Sequence, residues 1–143
     1  MLSPLNVVLR LITAFFLGSI IGLEREKKRR SAGFRTHILV SMGSCLIMLV
    51  SLHIYELYKG EVPLDPARIA AGVVTGIGFL GAGTIIRSAE GARGLTTAAS
   101  IWISSAIGLA VGCGFFVAAV TTTVISFLTL SFLKRIDKKL DNK

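Results

Sequence analysis

The stretch LNVVLRLITAFFLGSIIGLEREKKRR, residues 5–30, decides the fold class of this chain. Its first part, residues 5–23, is almost entirely apolar, and a dense group of basic residues follows directly. A helix needs roughly 20 mostly apolar residues to cross the ~30 Å hydrocarbon core of a bilayer. Residues 5–23 meet this requirement, and the charges that follow are placed to meet lipid headgroups.

Four further apolar stretches follow, at residues 37–57, 69–86, 95–112 and 115–133. Lipid offers no partners for main-chain N–H and C=O groups, so each stretch is expected to be helical. A mean hydropathy of +0.73, with 17% charged residues, agrees with this interpretation. We therefore predict an all-α, polytopic integral membrane bundle of five transmembrane helices. It forms one transmembrane domain over residues 1–133, followed by a short basic cytoplasmic tail over residues 134–143.

The positive charge of the chain is strongly asymmetric. Lys and Arg number six in residues 24–36, two in residues 87–94 and five after residue 133, whereas the opposite loops carry only Lys59 and Arg68. Short loops rich in Lys and Arg stay in the cytoplasm. We predict an N-terminus outside and a C-terminus inside. This topology accounts for the net charge of +8 better than nucleic-acid binding does.

Glycine is concentrated in the third apolar stretch, IAAGVVTGIGFLGAGTII, at Gly72, Gly76, Gly78, Gly81 and Gly83. Small residues let membrane helices approach closely. Gly72, Gly76 and Gly83 share one helical stripe, which predicts a helix–helix contact. The alternative is local unwinding that exposes main-chain groups to an ion.

Two further glycine pairs with GxxxG spacing, Gly18 with Gly22 and Gly108 with Gly112, indicate a compact bundle and self-association.

Polar residues gather at the predicted cytoplasmic ends of the spans, where they would form one polar layer if the helices make a single bundle. The alternative is that each is a solvated helix end. These residues are Glu24, Arg25, Glu26, Arg35, Thr36, His37, Arg87, Arg93, Thr96 and Thr97. Either Thr96 or Thr97 is expected to be the N-cap of the fourth helix.

Three polar residues lie away from that layer. Asp65 followed by Pro66 predicts a helix start, with Asp65 as the N-cap and Arg68 within reach for an ion pair. An outward-facing polar site at Asp65 is the alternative. Arg10, the one charge well inside a span, is interpreted as a structural anchor near the outer end.

The sequence contains no motif of an enzyme. A phosphate-binding loop, HExxH and a nucleophile elbow are all missing, and Cys45 and Cys113 make no metal site by themselves. We predict a protein that is not an enzyme, with no catalytic residues, no cofactor and no metal ligands.

Four segments in order resemble the MgtC/SapB family of bacterial membrane proteins. They are GLERE at residues 22–26, GFRTHILVSMG at 33–43, DPARIAAGVVTGIGFLGAG at 65–83 and RGLTTAASIW at 93–102. The resemblance implies a multi-pass bacterial inner-membrane protein linked to growth in low magnesium and to survival of pathogens in macrophages. One relative is reported to inhibit the F-type ATP synthase. Many members carry a C-terminal ACT-like domain, which we expect to be missing here.

The resemblance also implies which residues matter for function. The motif positions carried over as candidates are Glu24, Arg25, Glu26, Arg35, Thr36, His37, Asp65, Arg68, Arg93, Thr96 and Thr97. The leading hypothesis is a membrane module tied to magnesium homeostasis that acts by helix–helix contact with a partner membrane complex, such as F-type ATP synthase. The alternative is an oligomeric transporter or channel for Mg²⁺ or another small solute, with Asp65 and the Glu24/Glu26 pair as entry and exit acids.

Overall fold

The computed structural model of the protein describes the backbone of residues 2–89 and 91–140 and the side chains through Phe132. The described part contains five helices: α1 (Pro4–Lys27), α2 (Phe34–Tyr58), α3 (Pro66–Ala82), α4 (Leu95–Cys113) and α5 (Phe116–Leu140). The predicted helical class is confirmed. The tail predicted over residues 134–143 is helical as far as Leu140, and the rest of it lies outside the described residues.

A short antiparallel hairpin, absent from the prediction, joins α3 to α4. Its strands are β1 (Ile86–Ser88) and β2 (Gly91–Arg93), in the register Ile86↔Arg93. The predicted third span, residues 69–86, is therefore wrong at its end, because α3 stops at Ala82. Consecutive turns close over residues 83–85, and the apolar residues that prolong the hydropathy run enter the hairpin instead.

Helix α2 is the centre of the bundle, and glycines set its distance from both neighbours. A Cβ at Gly18 of α1 would lie 2.9 Å from the main-chain oxygen of His37, and one at Gly22 would lie 2.8 Å from that of Phe34. On the other side, a Cβ at Gly112 of α4 would lie 2.7 Å from the oxygen of Cys45. Both glycine pairs therefore hold α1 and α4 against α2, and the predicted compact packing at these pairs is confirmed.

The remaining helices pack at the margin. Helix α3 buries only Val73, Ile77 and Gly81, which face α2 and α4. Helix α5 contacts α4 and α1, where Ala119 joins the main apolar core.

The bundle has two chemically different ends. The C-terminus of α1, the N-terminus of α2 and the hairpin lie together at one end, which we call the basic end (residues 24–36 and 86–97). Contacts between Gly22 and Phe34 and between Gly81 and Ala98 bring these segments together. At the opposite end, the Ser51 hydroxyl donates to the carbonyl of Pro66 at 2.6 Å.

The surface of the bundle is apolar and its interior contains hydroxyl groups. Phe79 and Val117 are 83% and 76% exposed, whereas six serines of α2 and α4 are buried: Ser41, Ser44, Ser51, Ser100, Ser104 and Ser105. Water does not favour such an arrangement, because large exposed apolar patches are unusual in soluble monomers. Lipid does, and the chain is accordingly a membrane protein.

Helix lengths support part of the predicted span count. Helices α1, α2 and α4 are long and apolar enough to cross a membrane, whereas α3 and the first part of α5, Phe116–Phe132, are shorter apolar helices. At 1.5 Å per residue, the 17 residues of α3 reach about 25 Å, less than the ~30 Å core. The count of five spans stays a prediction.

Candidate functional site

The polar residues at the basic end form a partly buried cluster centred on Glu24 and Arg25. These two side chains are 4% and 3% exposed, and the Nε of Arg25 lies 2.7 Å from the Oε2 of Glu24. The Nζ of Lys28, the C-cap residue of α1, lies 2.5 Å from the Oε1 of Glu24. One carboxylate is thus matched by two cations. Since the Nη1 of Arg25 is buried without a hydrogen-bond partner among the described residues, the cluster has an unused donor.

Glu26 closes the turn between α1 and α2. Its Oε2 accepts a hydrogen bond from the main-chain N–H of Phe34 at 2.9 Å. The N-cap residue of α2, Gly33, supplies no side-chain cap, so a carboxylate from the preceding helix satisfies this free N–H group. A Cβ at Gly33 would collide with the Glu26 carboxylate, so a larger residue there would displace the carboxylate from the Phe34 N–H. The role of Glu26 is therefore to cap α2, with favourable charge at a helix N-terminus.

His37 connects α2 to α4 inside the same cluster. Its ring is fully buried, with Nδ1 2.7 Å from the carbonyl oxygen of Gly33 and Nε2 3.0 Å from the hydroxyl of Ser100. A carbonyl only accepts, so Nδ1 carries a proton. The Ser100 hydroxyl also lies 2.8 Å from the carbonyl oxygen of Thr97.

A serine hydroxyl has one proton, so the direction of its hydrogen bond depends on the charge of His37. When the imidazole is neutral, Ser100 donates to Nε2. When the imidazole is protonated, Nε2–H donates to Ser100, whose own proton is then free for the Thr97 carbonyl. The charge of His37 is thereby coupled to the first turns of α4.

The predicted polar layer is brought together only in part. Glu24, Arg25 and Thr97 are buried at the basic end, His37 is buried directly beside it, and Glu26 is bonded there while remaining exposed. The neighbouring candidates Arg35 and Thr36 are exposed beside Glu26 and Arg30 in a shallow pocket. Arg87 and Arg93 are exposed on the hairpin, and Thr96 is exposed on α4.

The predicted N-cap of α4 is wrong. Helix α4 begins at Leu95, and its N-cap is Gly94 rather than Thr96 or Thr97. Gly94 has a φ of 92°, and a Cβ there would collide with the carbonyl oxygen of Thr84. The tight exit from the hairpin therefore requires glycine, and both threonines fall inside the helix.

Asp65 and Arg68 lie at the opposite end of the bundle. The side chain of Asp65 accepts from the main-chain N–H of Ala67 at 2.8 Å and Pro66 is the first helical residue, which confirms the predicted cap. The ion pair predicted between Asp65 and Arg68 is not formed, although the Arg68 N–H bonds the Asp65 carbonyl at 3.2 Å. Among the described residues, no group of three or more His, Cys, Asp or Glu side chains is placed to hold a metal ion.

The glycines of α3 divide into two groups. Gly81 packs against Ala98 of α4, with 3.6 Å from a Cβ to the Ala98 Cβ. A Cβ at Gly72, Gly76 or Gly78 would meet nothing within 4 Å. The stripe of Gly72 and Gly76 lines an open groove of about 480 Å³ between α2 and α3, together with Gly43. It therefore makes no close helix–helix contact with the described residues, and α3 is a continuous helix over Pro66–Ala82 without local unwinding.

A line of buried serines was not predicted from the sequence. The hydroxyl of Ser44 lies 2.8 Å from that of Ser105, and Ser41 donates to the carbonyl of Ala14 at 3.0 Å. Ser104 is buried without a hydrogen-bond partner among the described residues. On α4, Ser100, Ser104 and Gly108 share the stripe that faces α2, and this common spacing is the signal that could have revealed the line.

Comparison with known proteins agrees with the motif resemblance. A family model described as the MgtC family matches residues 11–139. YhiD of Escherichia coli (strain K12), whose name proposes it as a magnesium transporter, is 43% identical over 95% of this chain and 64% of its own length. Protein SapB of Bacillus subtilis (strain 168) is 35% identical over 94% of this chain and 60% of its own.

Protein MgtC of Salmonella typhimurium (strain LT2) is 44% identical over 82% of this chain and 48% of its own length. The chain thus spans roughly half to two thirds of the curated relatives it matches. No solved structure matches the chain significantly.

Proposed function

Because the chain belongs to the MgtC family, we propose that it is a bacterial inner-membrane protein of magnesium homeostasis that acts by helix–helix contact with another membrane complex. F-type ATP synthase is one candidate complex, because a member of the family that the chain resembles is reported to inhibit it. The proposed role is binding rather than catalysis. The proposed topology is five spans with the N-terminus outside and the basic end in the cytoplasm.

The observation that carries this proposal is the contrast between the glycines of different helices. Those of α1 and α4 touch the α2 backbone and are fully used inside the chain. Gly72 and Gly76 line an open apolar groove, and a Cβ at either would meet no other described atom within 4 Å. Small residues on a membrane helix favour close approach of another helix. A partner helix in the groove between α2 and α3 could approach the α3 backbone closely at Gly72 and Gly76, where no helix among the described residues does so.

The partner contact can be tested with two matched variants. Gly76→Leu places a large side chain in the groove, whereas Gly78→Leu makes the same change on the same helix outside the groove lining. Affinity capture from native membranes, grown in low and in high magnesium, should recover the same partner with the wild type and Gly78→Leu and lose it with Gly76→Leu. Capture that is equal for all three proteins, at equal membrane levels, contradicts the proposal.

The proposed topology has its own test. Tags at the two termini should be accessible from opposite sides of the membrane, because five spans place them apart. Accessibility from the same compartment would overturn the topology but would leave the groove on α3 unaffected.

Transport is the second candidate, and the buried serines between α2 and α4 favour it because they carry hydroxyl groups into the apolar core. Asp65 would be its outer acid. The oxygens of Glu24 and Asp65 are engaged by cations and by a helix N-terminus, respectively, so a pathway would need an oligomer or a rearrangement. Magnesium flux into liposomes containing the purified protein, lost in Asp65→Asn and retained in Glu61→Gln, supports transport. A lack of flux above empty liposomes counts against it.

A further inference from the structure

A groove of about 330 Å³ runs between α1 and α5 at the basic end of the bundle. Its wall deeper in the membrane is apolar, with Ile20 and Leu23 from α1 and Phe127 from α5. These three side chains are 41%, 45% and 37% exposed, so the chain itself covers them incompletely. The volume lies at the lower end of the range of roughly 300–1,000 Å³ that is typical of ligand pockets.

The chemistry of the groove changes one helical turn closer to the basic end. Lys27 is the last residue of α1 and Lys28 is its C-cap, and Ser131 follows Phe127 on the same face of α5. The Nζ of Lys28 reaches across the groove to the carbonyl oxygen of Leu130 at 2.5 Å, whereas Lys27 is exposed.

Glu24 also lines this groove, but it does not make the polar end of the groove, which we call the mouth, acidic. Its carboxylate is matched by Lys28 and, behind the wall, by Arg25. Among the described side chains, the positive charge of Lys27, beside the Ser131 hydroxyl, therefore has no acidic partner at this end of the groove.

We infer that this groove binds one anionic phospholipid, with an acyl chain along Ile20, Leu23 and Phe127 and the headgroup phosphate against Lys27. Charge complementarity and the depth of the groove both favour this occupant. Along the membrane normal, the apolar wall lies at the depth of acyl chains and the basic residues lie at the depth of headgroups. A phospholipid has its apolar and charged parts in the same order. Basic residues at the membrane surface attract anionic headgroups. A soluble anion would make no use of the apolar wall, and a neutral lipid would make no use of Lys27. The inference requires only that the chain lies in a membrane, not the proposed partner.

Native mass spectrometry of the purified protein, with phosphatidylglycerol and phosphatidylcholine of identical acyl chains, tests this inference. The wild type should retain phosphatidylglycerol preferentially. Lys27→Gln should lower that retention about fivefold, the loss expected for one lysine at an anionic surface, and leave phosphatidylcholine unchanged. Arg68→Gln is the matched control, since it removes the same charge from an exposed residue at the opposite end.

A second variant tests the apolar wall. Ile20→Trp fills the groove from an exposed position, and it should reduce phosphatidylglycerol retention while the unfolding temperature stays near that of the wild type. Three results would overturn the inference: equal retention of the two lipids, equal effects of Lys27→Gln and Arg68→Gln, or displacement of the bound lipid by inorganic phosphate alone.

Discussion

Arg10 on α1 donates a hydrogen bond from Nη1 to the main-chain oxygen of Gly112, 2.6 Å away in the last turn of α4. The last carbonyls of a helix lack partners within that helix, and positive charge is favourable near them. A Cβ at Gly114 would lie 2.9 Å from the Nη2 of the same guanidinium. The arginine that the sequence predicts as an anchor is thus a cap that ties α1 to the end of α4.

Loss of this cap should destabilise the bundle. Arg10→Met retains the apolar part of the side chain but removes a charged hydrogen bond, which is worth about 1.5–3 kcal/mol. We expect a lower unfolding temperature in detergent. Arg68→Met, at an exposed position that forms no ion pair with the described residues, should leave the temperature unchanged. Equal temperatures for the two variants would show that the cap is not structural.

The glycines of α4 and α3 should respond oppositely to alanine. A Cβ at Gly108 would collide with the main-chain oxygen of Ser41, so Gly108→Ala should separate α4 from α2 and strongly destabilise the protein. Gly72→Ala meets nothing within 4 Å and should raise helix stability, by about 0.5–1 kcal/mol. Thermal unfolding in the same detergent measures both. A harmless Gly108→Ala would disprove the close packing of α2 and α4.

The buried charge cluster should be sensitive to the loss of Glu24, the one buried acid among the described residues. Glu24→Gln leaves Arg25 buried without a carboxylate, and breaking a buried pair costs about 3–5 kcal/mol. The double variant Glu24→Gln with Arg25→Met should recover much of this loss, because no buried charge is then left beside the amide. The free energy of unfolding for the two proteins decides between these outcomes. Similar destabilisation in both would mean that the pair is not the cause.

His37 should have a defined tautomer in the membrane. The Gly33 carbonyl requires a proton on Nδ1, so ¹⁵N NMR of the imidazole in bilayers at neutral pH should show Nδ1–H. Ser100→Ala removes the partner of Nε2 and leaves a buried nitrogen unsatisfied, at a cost of about 1–3 kcal/mol. A proton found only on Nε2 would contradict the geometry.

Hydropathy predicted the helices because lipid imposes one simple rule on every spanning segment. It failed where apolar residues continue past a helix end, as at Ile85 and Ile86, which belong to the turn and the hairpin. The Thr84 carbonyl also approaches Gly94 so closely that a Cβ would collide with it, and hydropathy does not report such an approach.

The candidate site, too, was predictable from the sequence only in part. Position at the rim was enough to identify Glu24, Arg25 and His37. It could not separate His37 from Thr36, because adjacent residues of a helix are about 100° apart and only one of these two faces the core. The buried serines were not predicted because serine is small and polar, so it occurs both where membrane helices pack closely and where they form hydrogen bonds. Its presence alone does not indicate which of these a position serves.

We expect α3 to contact a partner helix through the groove beside Gly72 and Gly76. A photo-crosslinking amino acid at Leu80, which lines that groove, tests it most directly, with Phe79 as the control. Phe79 is 83% exposed against 52% for Leu80, so random collisions would favour Phe79. We expect a discrete protein adduct at Leu80 in native membranes and lipid adducts alone at Phe79. Protein adducts of equal yield at both positions, or none at Leu80, would contradict it.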